Sequence, residues 1–415
     1  MTASVASASV KVLHDLGQYI RSLDFLELAR TEKRYFTRER CLSLSDCVLY
    51  LLTESGRSLQ TGLNEFLKGG KKCSKQAFSQ RRRHIRHEAF QALACKARDL
   101  FYKHMDYRRF AGYRLLAVDG CRLDLPDSSD LMKNFGAQPS SGDQIQCLMS
   151  AVYDVLNSQF VSIKTAAHSG NERTLFAEQL QEDCFEAGKE LFILDRGYPS
   201  AKLIEAIVAK GHHYVMRCCP EFLRNIELTS CDQIVTHRFH AVREPIALRV
   251  VTIQLDSGTI EHLITDLTEP SLKLDDLKEL YHARWSIEQS FRTLKTTLEA
   301  ENISGLSEQT FLQDLYAHIT MLDLAGMIAL AMEEKHSRCS SKRKHRIKAN
   351  RCVVTQTLRD TLCSILRKAS LSAVHRIISL LLSSLHRSII EVRPGRSFPR
   401  IKKHFSLAFP TNQRR

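Results

Sequence analysis

The spacing of hydrophobic positions changes twice along the chain. From about residue 11 to residue 105, apolar side chains recur at the three-to-four-residue spacing of helices, with little strand character. Candidate helix caps and one chain break interrupt this spacing, at Ser43, Ser58, Ser74 and Gly69-Gly70. The pattern predicts a helical region over residues 1–108.

Short apolar runs replace the helical spacing near residue 112. Three successive strands are predicted from YRLLAVDGCRLDLP, QCLMSAVYDVL and SQFVSIKTAAHS. A helix in NERTLFAEQLQEDCF, a strand in LFILDRGY, a helix in SAKLIEAIVAKG and a strand in HHYVMRCC follow. Three strands, helix, strand, helix, strand is the order of a ribonuclease H-like core, although a mixed α/β sheet with another strand order fits the same pattern.

Alternating runs between about residues 220 and 272, in QIVTHRFHAV, IALRVVTIQL and TIEHLITDL, predict a small antiparallel insertion. From Leu306 onward the pattern is helical again, with one basic interruption, SRCSSKRKHRIKANR. We therefore predict an α/β fold with a mixed sheet over residues 109–305, a β-rich insertion at about 220–272, and a C-terminal helical region with a basic linker over 306–415.

The segment YHARWSIEQSFRTLK carries a charged face and an apolar face at helical spacing. At about 100° per residue, four side chains fall within an arc of about 60°; they are Tyr281, Arg284, Glu288 and Lys295. An adjacent apolar stripe consists of Ile287, Phe291, Leu294 and Leu298. A solvated face with an i,i+4 ion pair between Arg284 and Glu288 is the alternative to a functional site.

Two aspartates follow apolar strand-like runs in the α/β region. Asp119 ends the run LLAV before Gly120, and Asp195 ends the run LFIL before Arg196. Ligands of open α/β sheets bind at the carboxyl ends of strands, so we expect both carboxylates to point into one crevice, with Glu288 arriving from a neighbouring helix. Three carboxylates suit Mg²⁺, and two such ions about 4 Å apart activate a nucleophile and stabilise a leaving oxygen.

Simpler roles exist for the polar residues of this region. An Asp-Gly pair after a strand is more often a turn, and Asp124 is a rival carboxylate that we interpret as structural. Asn171 and Glu172 are most simply a helix cap and a first-turn charge. Nothing in their spacing groups four nearby histidines as metal ligands, namely His168, His212, His213 and His282.

Charge adds a candidate partner. Sixty Lys and Arg residues against 46 Asp and Glu leave a formal charge of +14, which favours a polyanion such as nucleic acid. Basic residues crowd the segment SKQAFSQRRRHIRHEAFQAL, where a DNA-contacting helix and a merely solvated basic helix are equally good interpretations. The candidate DNA contacts are Lys75, Arg81, Arg82, Arg83 and Arg86.

Cysteine usage and hydropathy indicate the compartment. The thirteen cysteines include no CxxC pair and show no disulfide framework, so we expect reduced thiols in the cytoplasm. The most apolar late segment, around Leu315 to Met332, contains His318 and Asp323, which predicts a core helix and not a membrane span.

Taken together, these motifs resemble the DDE transposases of bacterial insertion sequences, in the subgroup with the Tyr-Arg-Glu-Lys signature. Tyr281, Arg284, Glu288 and Lys295 match the signature spacing without a gap. VDG at Asp119 and LDRGY at Asp195 resemble the surroundings of the first two acids of the family. The chain departs from the family at Cys121, where members often carry a small hydroxyl residue.

The resemblance implies a metal-dependent enzyme that binds the terminal inverted repeats of its own element. Asp119, Asp195 and Glu288 would hold two Mg²⁺ ions, with Mn²⁺ as a substitute, and a DNA end would be nicked and joined to double-stranded target DNA. In the subgroup the freed hydroxyl first forms a hairpin, whose phosphates the Tyr281, Arg284 and Lys295 positions would bind. The resemblance also implies a homodimer on DNA without a membrane partner.

Three further points stay open in the sequence. Trp285 either stacks on an unpaired base or packs in the core. A transposase-derived DNA binder that no longer cuts is disfavoured because all three acids are present. A ribonuclease H-like nuclease without strand transfer is disfavoured because it would not need Tyr281, Arg284 and Lys295.

Overall fold

A computed structural model of the protein describes residues 4–38, 41–54, 56–68, 72–138, 143–224, 226–228, 230–239, 241, 244–254, 258–268, 272–339 and 347–392. Three features of the sequence lie wholly or partly outside the described residues. They are the Gly69-Gly70 break, the basic linker within 337–351 and the basic tail RPGRSFPRIKK.

Helices occupy the N-terminal part of the described chain, as the apolar spacing predicts. Ser43 and Ser74 are N-caps whose hydroxyl oxygens accept hydrogen bonds from the third residue of their helices, at 3.0 Å and 3.1 Å. Ser58 also stands at an N-cap but makes no side-chain cap bond. The helices are α1 (Val5–Ile20), α2 (Leu23–Ala29), α3 (Leu44–Thr53), α4 (Leu59–Phe66), α5 (Lys75–Arg82) and α6 (His87–His104).

Strands and helices alternate from residue 114 onward. The strands are β1 (Arg114–Asp124), β2 (Ala137–Gln138), β3 (Gln144–Asp154), β4 (Gln159–Ala167), β5 (Glu190–Leu194), β6 (His213–Cys218), β7 (Asp232–His237), β8 (Ile246–Gln254), β9 (Ile260–Thr265), β10 (Ile347–Ala349) and β11 (Ile389–Glu391). The helices are α7 (Ser129–Phe135), α8 (Glu172–Gln179), α9 (Ala201–Ala209), α10 (Leu274–Ala283), α11 (Trp285–Thr296), α12 (Glu308–Cys339), α13 (Arg351–Leu366) and α14 (Leu371–Ser384).

A central mixed sheet organises the α/β region, as predicted. Its strand order is β2-β3-β1-β5-β6-β9-β8-β7, and β4 pairs with β3. β1, β5 and β6 are parallel neighbours, whereas β3 and β4 form an antiparallel pair. The predicted insertion is antiparallel and extends the sheet, because β9 pairs with β6 and then with β8. Apolar residues at all but the first position make β5 a strand buried along its whole length.

A buried ion pair fixes the register of the two central strands. Arg114 and Glu190 are direct partners at the start of β1 and β5, and the guanidinium donates to both carboxylate oxygens at 2.8 Å and 2.6 Å. Both side chains are buried, so the bidentate geometry compensates their loss of water. The parallel register then runs unbroken to the pair formed by Val118 and Leu194.

The chain divides into two compact units, and their limits differ from the predicted domain limits. Unit 1 comprises residues 1–107, 123–146 and 292–415, and unit 2 comprises residues 108–122 and 147–291. Residues 123–146 and 292–305, predicted within the α/β domain, therefore cluster with the terminal helices. The functional division at residues 108 and 305 stays a prediction.

The long helix α12 forms the centre of unit 1. It packs against α1, α3, α6 and α13. The helix is long and apolar enough to cross a membrane, but its most apolar window is entirely buried in the protein. Leu315 and Met332, the ends of the apolar segment, are each 1% exposed, in agreement with the predicted core helix.

The segment predicted as one helix over Tyr281–Lys295 forms two helices. α10 ends at Ala283, α11 begins at Trp285, and Arg284 lies between them with helical backbone angles. The apolar stripe is buried as predicted, with Ile287 and Leu294 fully inaccessible. The break places Arg284 at a junction, whereas Glu288 lies in the first turn of α11.

Candidate active site

The parallel register of β1 and β5 places the two predicted aspartates side by side. Val118 and Leu194 form the last residue pair between the strands, and Asp119 and Asp195 are the next residues. β5 ends there, as predicted, but β1 continues to Asp124. Asp119 is therefore an inner residue of its strand, at the point where pairing with β5 stops, and not its last residue.

Each aspartate is oriented by the backbone that follows it. Asp119 Oδ1 accepts a hydrogen bond from the Gly120 N–H at 2.9 Å. Asp195 Oδ1 accepts one from the Gly197 N–H at 2.8 Å. One oxygen of each carboxylate is thereby held toward the chain, which limits the rotation of the other oxygen.

Arg284 joins the first aspartate to the glutamate. Its Nη1 lies 3.1 Å from Asp119 Oδ2, and its Nη2 lies 2.6 Å from Glu288 Oε1. The guanidinium is 11% exposed and the two carboxylates are 17% and 31% exposed, so these ion pairs are partly shielded from water. The i,i+4 ion pair between Arg284 and Glu288 is therefore present. Through its second bond, Arg284 also links Glu288 to Asp119 within unit 2.

Negative charge accumulates around Asp119. Burial raises the pKa of the Asp119 carboxyl to about 6, Arg284 and the Gly120 N–H oppose the rise, and Asp195 and Glu288 add to it. The Asp119 carboxyl therefore binds a proton more readily than an aspartate exposed to water.

The donor chemistry fits a hard divalent cation. Asp119, Asp195 and Glu288 offer only oxygen ligands, which Mg²⁺ prefers. Within the described residues, no three Asp, Glu, His or Cys side chains are already gathered at metal-binding distance. The acids are therefore neighbours that influence one another electrostatically, and the Arg284 guanidinium bonds to two of them.

The remaining signature residues differ in their surroundings. Tyr281 is half-buried, and the Arg284 guanidinium carbon lies 6.0 Å from the centre of its ring. Lys295 pairs with Glu301 at 2.8 Å, a partner that the sequence pattern did not identify. Trp285 is 40% exposed, so the core alternative for this side chain is wrong.

One predicted DNA contact is contradicted by burial. Arg82 is 3% exposed and pairs with Asp314 at 2.8 Å, so its guanidinium is not available to DNA. Phe78 and Ile85, four residues before and three residues after it, are also inaccessible. Phe78 lies one helical turn before Arg82 in α5 and shares its buried face, a signal present in the sequence.

The other four basic candidates are accessible to different degrees. Lys75, Arg83 and Arg86 are exposed. Arg81 is half-buried, with its guanidinium carbon 4.5 Å from the centre of the Phe36 ring. These four residues stay candidates for phosphate contacts.

Several simpler interpretations hold. Asn171 caps α8 by accepting hydrogen bonds from the N–H groups of Arg173 and Thr174, the second and third residues of the helix. Asp124 has structural partners, because its Oδ1 accepts from Gln146 at 2.7 Å. His213 pairs with Asp266 at 2.8 Å, and the described cysteines are free thiols, as expected.

Glu172 is a first-turn residue of α8, but its carboxylate lies against Gly120, a position that the sequence did not reveal.

Comparisons with known proteins show what the chain resembles. Residues 110–324, slightly more than half of the 415 residues, match the family described as "Transposase DDE domain". The chain is 24% identical to "Transposase InsG for insertion sequence element IS4" of Escherichia coli (strain K12) over 277 residues, and the alignment covers 62% of this chain and 62% of that relative. A "Cryo-EM structure of piggyBac transposase synaptic complex with hairpin DNA" shares 10% identity and a TM-score of 0.47, with 96% of this chain and 87% of that chain covered.

Proposed function

Because the chain belongs to the DDE transposase family, we propose that it binds the terminal inverted repeats of an insertion sequence and catalyses DNA cleavage and strand transfer. The observation that carries the proposal is the juxtaposition of Asp119 and Asp195 by strand register, with Glu288 linked to Asp119 through Arg284. In this proposal, carboxylates from β1, from the residue after β5 and from the first turn of α11 serve two-metal phosphoryl transfer.

The proposed core is ribonuclease H-like. Its support is the strand order β4-β3-β1-β5-β6. In this order β4 and β3 pair antiparallel, whereas β1, β5 and β6 pair in parallel. In this proposal residues 1–108 bind DNA, residues 109–305 catalyse, and residues 306–415 form a helical C-terminal region.

Asp119, Asp195 and Glu288 would hold two Mg²⁺ ions, or Mn²⁺ in their place. When bound, the ions activate the attacking oxygen and stabilise the leaving oxygen at the phosphorus. The protein contributes fixed orientation, because Gly120 and Gly197 hold one oxygen of each aspartate and Arg284 holds Glu288.

Tyr281, Arg284 and Lys295 would bind DNA phosphates, including those of a hairpin intermediate. Arg284 carries its charge at the site, and Lys295 would exchange its carboxylate partner Glu301 for a phosphate. The exposed Trp285 side chain is available to stack on an unpaired base. Cleavage of two ends in one complex further implies a homodimer on DNA in the cytoplasm.

The test incubates the purified chain with a labelled duplex from the DNA that flanks its own gene, with and without Mg²⁺. Glu288→Gln should bind the duplex but not cut it, because the amide lacks the charge that a cation requires. Glu178→Gln is the matched control, since Glu178 is exposed and pairs with Lys164. A hairpin product would establish the proposed intermediate, whereas binding without cutting in any divalent metal would leave a DNA-binding protein.

A further inference from the structure

The start of helix α8 is fitted tightly against the strand that carries Asp119. A methyl group at Gly120 would overlap the Glu172 carboxylate and lie 2.8 Å from its Cγ. A side chain at this position would therefore force the Glu172 carboxylate to shift away from β1. The side chain of a first-turn glutamate usually extends into water, whereas Glu172 is half-buried.

Two further contacts fix the position of this helix start. Arg173 Nε donates to the Gly197 carbonyl at 2.5 Å, which ties α8 to the loop that follows Asp195. Arg122 Nη1 donates to the His168 carbonyl at 2.6 Å, which ties β1 to the segment before α8. Glu172 is thereby held where β1 and the Asp195 loop meet, within unit 2.

The Glu172 carboxylate lies close to both segments that carry the aspartates. It meets Gly120, the residue after Asp119, and the Tyr198 hydroxyl, in the loop after Asp195, is 3.5 Å from its Oε2. That distance is at the outer limit of a hydrogen bond. Burial raises the Glu172 pKa, Asp195 adds to the rise, and Arg122 and the Tyr198 hydroxyl oppose it.

We propose that Glu172 is a fourth carboxylate of the active site and binds the divalent cation together with Asp195. This inference rests on the proposed function. It assigns the role of Gly120 as well, because the missing side chain allows Glu172 to approach the site. A capping charge at a helix N-terminus would account for neither the close approach to Gly120 nor the proximity to Asp195.

The test measures binding of Mn²⁺ alone to the full chain by calorimetry, with free Mn²⁺ counted by electron paramagnetic resonance. We expect Glu172→Gln to weaken Mn²⁺ binding at least tenfold. Gly120→Ala should have the same effect although it keeps every carboxylate. Glu178→Gln, on the same helix, should bind as the unaltered chain does, and Asp195→Asn should lose most of the binding.

A second readout separates metal binding from a purely structural role. Without metal, Glu172→Gln should melt at the same or a higher temperature than the unaltered chain, because the amide removes repulsion from Asp195. A lower melting temperature with unchanged Mn²⁺ affinity would make Glu172 structural and overturn the inference.

The outcomes also separate this inference from the proposed function. Unchanged Mn²⁺ affinity in Glu172→Gln, together with loss in Asp195→Asn, would overturn the role of Glu172 and leave the three-acid site intact. Absence of Mn²⁺ binding by the unaltered chain, or binding that Asp195→Asn does not affect, would overturn the metal site itself and the inference with it.

Discussion

Replacement of Arg82 by methionine tests whether this arginine stabilises the core of unit 1 or contacts DNA. Its guanidinium donates to Gln313 Oε1 at 2.5 Å, to the Thr310 carbonyl at 2.6 Å, to Asp314 Oδ1 at 2.8 Å and to the Ser304 hydroxyl. Asp314 Oδ2 accepts from the Ser304 N–H and hydroxyl at 3.0 Å and 2.9 Å. The network is thus closed, with each charge satisfied by named partners.

The expected loss of stability follows from the burial of Asp314, the partner of Arg82. In Arg82→Met the Asp314 carboxylate, 5% exposed, would stay buried without its cation. Breaking such a pair costs about 3–5 kcal/mol of unfolding free energy. For a cooperative unit of 150–250 residues this corresponds to a decrease in melting temperature of roughly 6–20 °C.

The assay is thermal unfolding followed by circular dichroism, with Arg83→Met as the matched control. Arg83 is the next residue and is exposed, so its loss should change the unfolding free energy by no more than about 0.5 kcal/mol. The double variant Arg82→Met with Asp314→Leu should recover part of the loss, because no buried charge is left unpaired. A melting temperature of Arg82→Met within about 1 °C of the unaltered chain would refute the assignment, and loss of DNA binding in such a stable variant would restore Arg82 as a DNA contact.

Three other features are tested by substitution. Gly17→Ala should lower the melting temperature despite the better helix propensity of alanine, because the new methyl group would lie 2.5 Å from the Leu366 carbonyl oxygen. Burial lowers the pKa of His212 from 6.5, so the unfolded chain binds a proton first as the pH falls below about 6.5 and stability declines; denaturant titrations should show that His212→Phe reduces this decline. Lys295→Ala should nick a DNA end and then stall, and normal strand transfer on a sequencing gel would remove its phosphate-binding role. Glu301→Gln, which takes away the carboxylate partner of Lys295, should not stall in that assay.

Local signals were enough for much of the fold. Ser43 and Ser74 were predicted as caps because a hydroxyl before an apolar helical run satisfies free N–H groups, and both make that bond. The run before Asp195 was predicted as a buried strand because it is continuously apolar, and β5 is buried throughout. These features depend on neighbours within a few residues, which the sequence shows directly.

Features that depend on distant partners were not predictable in the same way. The continuation of β1 beyond Asp119 and the approach of Glu172 to Gly120 both involve the packing of separate elements. The burial of Arg82 was predictable in part. The apolar residues near it indicate a buried face, but its partner Asp314 is 232 residues away in the sequence.

The position of Arg284 explains how one residue of the signature serves two purposes. Its bonds to Asp119 and Glu288 use two of the five N–H groups of a guanidinium. A lysine would supply one charge but lacks the planar group that reaches two carboxylates at once. The break between α10 and α11 places this guanidinium at the junction, where it orients the glutamate of the next helix and faces the aspartate of the sheet. The same side chain therefore bonds to two of the acids, and in the proposed function it would also carry positive charge for the DNA backbone.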